Sequence, residues 1–312
     1  MCNITIGIDV SKDTLDLYRL PDRATLRVSN DDAGYQAVLD WIGAHRVERI
    51  VYEATGPYTR DFERVFARAG LPLVKVNPRR ARRFAEAIGV LAKTDPVDAA
   101  VLAHMGAILA LDPRAPASET LQTLRELHRA RRALLKDRTA AKNRAKILRV
   151  MLLKGHNDQR LTQIDEQIGA IDRAIDILIA EDKDRARRLD ILTSIPGIAT
   201  ATAVALIIEM PELGTLEGKQ AASLAGLAPI TRQSGTWTGR AHIRGGRARL
   251  RQALYMPALV ACRFNPDLKA KYDQLTTAGK PPKIAITAVM RKLLLLANAL
   301  LRDDRKWNQS LA

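Results

Sequence analysis

Four carboxylates in the first third of the chain are spaced as if to act together. Asp9 closes a short apolar run in Gly7-Ile8-Asp9-Val10, and Glu53 closes another in Val51-Tyr52-Glu53-Ala54. Asp95 and Asp98 stand three apart in Lys93-Thr94-Asp95-Pro96-Val97-Asp98. Strand ends line the functional crevice of an open α/β sheet, and side chains at i and i+3 share one helix face. Carboxylates brought together repel one another unless a hard cation lies among them. Oxygen donors suit Mg²⁺, and two such ions about 3.5–4 Å apart serve phosphodiester chemistry. Taken singly, Asp95 and Asp98 are also the ordinary acids of a helix N-terminus. Together and in this order, Asp9, Glu53, Asp95 and Asp98 favour a metal site.

The elements that must hold these acids follow from periodicity. Residues 1–112 read as an α/β unit, with strands over Ile4–Val10, Thr14–Leu20, Ala24–Ser29, Arg49–Glu53 and Leu71–Val76. A helix follows the caps offered by Asn30–Asp32, another runs from Pro57 towards Gly70, and two more start near Pro78 and Asp95. Three strands in succession, then strand–helix alternation, predict a mixed sheet flanked by helices, a ribonuclease-H-like arrangement. Residues 113–190 read as a helical, coiled-coil hairpin. One arm carries Leu121, Leu124, Leu127, Leu134 and Leu135, a break falls at Gly155–Asp158, and Ile164, Ile168, Ile171 and Ile175 line the second arm. Residues 191–312 form a third, mainly helical unit. In it Ser194-Ile195-Pro196-Gly197-Ile198 resembles a helix-hairpin-helix turn, which would offer N–H groups to a phosphate.

Charge points to a polyanionic partner. Fifty Lys and Arg against 34 Asp and Glu leave a net +16, the bias expected of a phosphate-rich partner. Between Gly218 and Pro266 there is no acid but there are eight Lys and Arg. A surface built only for solubility would mix the signs. Arg232, Arg240, Arg244, Arg247 and Arg251 in that stretch, with Arg129, Arg132, Lys142 and Arg149 on the first hairpin arm, are the expected nucleic-acid contacts. Aromatic residues make up only 4%, too few for a single-strand stacking platform to dominate. Two cysteines, Cys2 and Cys262, argue against a disulfide scaffold. With no signal-peptide pattern at the N-terminus, the expectation is a cytoplasmic protein. The five histidines show no metal-ligand spacing.

Gly7-Ile-Asp9-Val-Ser-Lys, Glu53-Ala-Thr-Gly and Lys93-Thr-Asp95-Pro-Val-Asp98-Ala resemble the DEDD signature of insertion-sequence transposases with a RuvC-like domain, a family that includes pilin-gene inversion recombinases. Ser194-Ile-Pro-Gly-Ile, Ala222-Ser-Leu-Ala-Gly-Leu-Ala-Pro, Gln233-Ser234-Gly235 and Leu250-Arg-Gln-Ala-Leu-Tyr-Met-Pro257 resemble its C-terminal transposase domain. The resemblance implies that Ser234 is a serine nucleophile and that the four acids hold Mg²⁺. It further implies an element-encoded guide (bridge) RNA that pairs with donor and target DNA. It implies a tetramer in which the RuvC-like domain of one subunit completes a site with the serine domain of another. The residues alone read Gln233-Ser234-Gly235-Thr236 as a polar loop. There Gly235 and Gly239 would admit a phosphate, Arg232 and Arg240 would stabilise developing charge, and Trp237 would stack on a base or pack in the core. Two rival functions fit parts of the pattern. A hydrolytic junction resolvase needs the acids but no serine, and a non-catalytic RNA–DNA scaffold needs neither.

Overall fold

A computed structural model describes residues 3–308 apart from 55, 93 and 240. Arg240 among the expected contacts, Cys2, and Thr55 and Lys93 of the acidic motifs therefore lie outside the described residues. The chain divides into two compact units, residues 1–118 and 119–312.

In the first unit, alternation builds the sheet. Ile4, Ile6 and Ile8 of β1 (Asn3–Val10) are fully buried on one face, with Leu15 and Leu17 of β2 (Thr14–Leu20) beside them. β3 (Thr25–Ser29), β4 (Arg46–Glu53) and β5 (Leu73–Val76) complete the order β3-β2-β1-β4-β5. β1, β2 and β3 pair antiparallel, whereas β1, β4 and β5 pair parallel, so the sheet is mixed as expected. Helices α1 (Asp32–Ile42) and α2 (Arg60–Arg68) cover the isoleucine face, where Tyr35, Val38, Phe62 and Phe66 pack. Asp31 caps α1, its carboxylate accepting the N–H of Gly34 at 2.9 Å. The helix expected from Pro57 begins as a 3₁₀ turn, Gly56–Thr59, and becomes α-helical at Arg60. On the opposite face lie α3 (Pro78–Ala87) and α4 (Asp95–Ile108), with Ala81, Leu102 and Met105 against Val51, Val74 and Val76.

One residue fixes how closely α4 approaches β1. A Cβ placed on Gly7 would stand 2.0 Å from the Ala99 carbonyl oxygen and 2.4 Å from the Ala103 nitrogen. Both are backbone atoms, so neither can swing aside. Gly7→Ala is expected to cost roughly 1–3 kcal/mol as overpacking, and thermal unfolding would register it as a clear drop in Tm. Gly155→Ala makes the contrast. It lies in open space along a helix, where exchange of Gly for Ala should stabilise by about 0.8–1 kcal/mol. Equal Tm values for Gly7→Ala and the parent chain would refute the close contact.

The second unit is helical, with four two-residue strands among the described residues. α5 (Glu119–Ala145) and α6 (Met151–Ala180) pair side by side. Two ion pairs join them, Arg131–Asp172 and Arg138–Asp165, the latter at 3.0 Å. The break lies at residues 146–150, not at Gly155–Asp158, which belong to α6. A single interior glycine costs only about 1 kcal/mol, less than α6 gains by burying Ile164, Ile168, Ile175 and Ile179. Lys142 and Arg144 favour a helix end where it occurs, facing the negative end of the α5 dipole. Leu124, Ile175 and Ile179 pack against Val204 and Ile208 of α8 (Thr200–Glu209), so the hairpin shares a core with the helices that follow.

The main core joins α7 (Lys183–Thr193), α8, α9 (Gly218–Leu224), α10 (Ala248–Phe264), α11 (Pro266–Thr277) and α12 (Pro282–Arg302). Among the described residues, α12 alone is long and apolar enough to cross a membrane. Leu293, Leu294, Ala297 and Leu300 bury one side of it in this core, so it is a core helix. The turn after α7 is also a packing element. Ile195 and Ile198 are buried, and the Ser194 hydroxyl donates to the Ile191 carbonyl at 2.6 Å while accepting the Trp307 N–H at 2.8 Å.

Candidate active site

The register of the sheet gathers the acids. Ile8 pairs with Tyr52 across the parallel β1–β4 ladder, which puts Asp9 and Glu53 side by side at the ends of adjacent strands. Ile8 and Tyr52 belong to the α1–α2 face, so their neighbours Asp9 and Glu53 turn to the α4 face by the period of two. There α4 begins with Asp95 and, one turn on, Asp98. The four acids share one electrostatic neighbourhood. The Asp9 carboxyl is pushed up from 3.8 to about 6, first by burial, then by the charges of Asp95, Asp98 and Glu53. Among the described residues no three such groups stand close enough to form a ligand set as they are. Their chemistry, carboxylate oxygen throughout, fits a hard divalent cation.

Asp16 is a fifth acid of this neighbourhood. It sits opposite Asp9 in the β1–β2 ladder, is buried, and lies 3.6 Å from the Arg27 guanidinium. Burial raises its pKa, Arg27 lowers it, and Asp95 raises it again. Alternation along Thr14–Leu20 sets Asp16 off from Leu15 and Leu17 without saying what shares its face. Pairing β2 with β1 through the tight Ser11–Asp13 connection would have set it beside Asp9.

The raised Asp9 pKa has a measurable sign. A carboxyl whose folded pKa exceeds its unfolded value contributes stability that is complete below about 3.8 and lost by about 6. Asp9→Asn keeps the neutral form at every pH. In metal-free buffer its Tm should match the parent at pH 4 and exceed it above pH 6, with Mg²⁺ closing the gap by stabilising only the parent. A Tm difference that stays constant from pH 4 to 7 would refute the coupling.

Ser234 belongs to a different construction. β7 (Gln233–Ser234) pairs with β8 (Trp237–Thr238) in a tight hairpin, with Ser234 opposite Trp237 and Gly235 at φ +55° in the turn. This hairpin hangs from a second ladder, β6 (Pro229–Ile230) with β9 (His242–Ile243). Ser234 is exposed, and its hydroxyl has no hydrogen-bond partner among the described residues. Trp237 is 60% exposed, which excludes core packing, and its ring lies against Gly239. At the root of the hairpins, a Cβ on Gly246 would stand 2.2 Å from the Gly226 nitrogen. Arg251 crosses this junction and donates to the Gly245 carbonyl at 2.6 Å and the Ala225 carbonyl at 3.3 Å.

The expected nucleic-acid contacts divide accordingly. Arg251 is engaged by the two backbone carbonyls at the root of the hairpins. Arg247 donates to the Glu209 carbonyl at 2.7 Å and pairs with Glu212 at 2.5 Å, and Arg132 donates to Gln252 at 3.0 Å. Arg249 lies 3.9 Å from Glu209. The acid-free stretch is thus partly neutralised by acids that precede it in sequence. Arg129, Lys142, Arg149, Arg232 and Arg244 are exposed.

A family model described as a transposase, carrying the DEDD and IS110 names, matches residues 6–152, and the transposase model of the IS116/IS110/IS902 family matches residues 189–273. The chain belongs to the IS110-type transposase family. Pilin gene-inverting proteins of Moraxella bovis and Moraxella lacunata are each 29% identical to it over 99% of both chains. An insertion element IS110 protein of Streptomyces coelicolor is 33% identical over 46% of this chain and 35% of its own. As a member of this transposase and recombinase family, the chain is an enzyme that acts on DNA. The family's DEDD character implies dependence on a divalent metal.

Proposed function

We propose that this IS110-type transposase is an RNA-guided DNA recombinase that cuts and rejoins strands through a phosphoserine at Ser234. The observation that carries the reading is the pairing, in one chain of this family, of four coupled acids, two at strand ends of a mixed sheet and two on α4, with an exposed serine on a hairpin. The sheet order β3-β2-β1-β4-β5, antiparallel on one side and parallel on the other, supports a RuvC-like first domain. The domain division proposed is 1–112 for that domain, 113–190 for the helical region and 191–312 for the serine domain.

The residues act as follows. Ser234 Oγ attacks phosphorus, an Oγ–P bond forms, and the P–O bond to the leaving strand breaks, its oxygen taking up a proton. The hydroxyl of the exchanged strand then attacks the phosphoserine, restoring Ser234 and a phosphodiester with no net hydrolysis. A serine hydroxyl is a weak nucleophile that needs activation. Asp9, Glu53, Asp95 and Asp98 would hold Mg²⁺, which supplies a Lewis acid for the scissile phosphate. Exposed Arg232 and Arg244 oppose the negative charge on the non-bridging phosphate oxygens. Acids and serine lie in different units, which suits a site completed between subunits of a tetramer. A bridge RNA, pairing with donor and target, would account for sequence choice in a protein with few aromatic residues.

Trapping the intermediate tests this reading. Protein is incubated with labelled DNA and copurified RNA, quenched in denaturant, and examined for label that migrates with protein. A recombinase yields an adduct, a resolvase cuts without one, and a scaffold does neither.

A further inference from the structure

A cleft of about 250 Å³ opens beside two of the acids. One wall is the start of α3, with Arg79 and Arg82, and the other is the end of β4 and first turn of α4, with Glu53 and Asp98. Ala85 and Val101 supply apolar surface between them. Arg82 is held in place, its guanidinium 3.2 Å from Glu86. Arg79 makes no ion pair with any described residue, although carboxylates line the same cleft. Its backbone N–H is bound by the Asn77 side chain at 2.9 Å, which fixes the helix start without engaging the guanidinium. Two further arginines of α3, Arg80 and Arg83, are exposed and do not line the cleft.

We propose that this cleft grips a phosphate of the DNA strand next to the one cut at the carboxylates, with Arg79 as its main ligand and Arg82 in support. The inference rests on the reading of Asp9, Glu53, Asp95 and Asp98 as the cutting site. A planar guanidinium matches two phosphate oxygens at once. A strand led past Glu53 and Asp98 meets repulsion, and cations on the facing wall offset it. The arginine pair thus keeps the strand in place where the acids alone would expel it.

The test uses the full chain in EDTA, so that binding is read without cutting. Anisotropy of a fluorescein-labelled DNA duplex is followed over a salt series. Arg79→Ala should make the slope of log affinity against log salt less steep by roughly 0.9, one phosphate's worth. Arg79→Lys should keep the slope and bind more weakly, because charge survives and the fork does not. Arg80→Ala and Arg83→Ala, on the same helix, should leave the slope where it was. Glu53→Gln should tighten binding by removing a repelling charge. An unchanged slope in Arg79→Ala would overturn the proposal, as would equal losses at Arg80 and Arg83, which would make α3 a generic basic helix. No gain from Glu53→Gln would place the strand elsewhere and overturn it too. The outcome is separable from the reading on which it rests. Normal slopes with no serine adduct would sink the recombinase alone, and an adduct with unchanged slopes would sink the cleft alone.

Discussion

Ser234→Ala should eliminate the covalent protein–DNA adduct and recombination together. The hydroxyl is proposed as the atom that bonds to phosphorus, so no fraction of the reaction should survive through that route. Fold and binding should persist. Ser234 is exposed at a hairpin tip and its hydroxyl holds nothing among the described residues, so its loss should move stability by no more than about 0.5 kcal/mol. One hydroxyl contributes only about 1 kcal/mol to a typical interaction, and DNA affinity should fall no further than that. Ser234→Cys offers an intrinsically better nucleophile in a larger, softer atom, a poor match to a hard metal, and weak or absent activity is expected. Strand cleavage by Ser234→Ala at the parent rate would identify water as the nucleophile and put the resolvase in place of the recombinase.

Asp9→Ala and Glu53→Ala should each abolish strand cleavage while the chain stays folded. Loss of a single electrostatic stabiliser typically lowers the rate by about 10²–10³, and removal of a metal ligand should do at least as much. Folding is protected because burial first, and neighbouring charges second, disfavour the Asp9 anion, and deleting one of several crowded charges relieves the rest. Circular dichroism and Tm in metal-free buffer check the fold, and denaturing gels of labelled DNA check the chemistry. Full cleavage by either variant in Mg²⁺ would remove the acids from the reaction.

The first unit was legible because its elements obey simple periods. Ile4, Ile6 and Ile8 alternate on one face, Asp31 caps α1, and Pro78 opens α3, so strands and helices fall close to where pattern puts them. Asp9 and Glu53 were readable because each ends such a strand. Asp16 was not, since alternation assigns a residue to a face without saying what else shares it. The hairpins around Ser234 were equally silent. Strands of two residues have no period, and Gln233, Ser234, Trp237 and Thr238 are all exposed, so no apolar pattern marks them. The break between α5 and α6 was misplaced because a glycine inside a long helix resembles its end. Charge alone left the partners of Arg247 and Arg251 unread. A linear window cannot see that Glu212 folds back onto one and that backbone carbonyls claim the other.

The contact of Gly7 with α4 sets a tolerance on the first unit. Most helix–sheet spacings depend on the bulk of the side chains between them, and drift when a valine becomes a leucine. Here main chain meets main chain, with the Ala99 carbonyl and the Ala103 nitrogen directly over Gly7. The distance from the end of β1 to the start of α4, and hence from Asp9 to Asp95 and Asp98, is gauged by backbone thickness. Anything that thickens this one contact moves the acids directly, with no side chain between to absorb it.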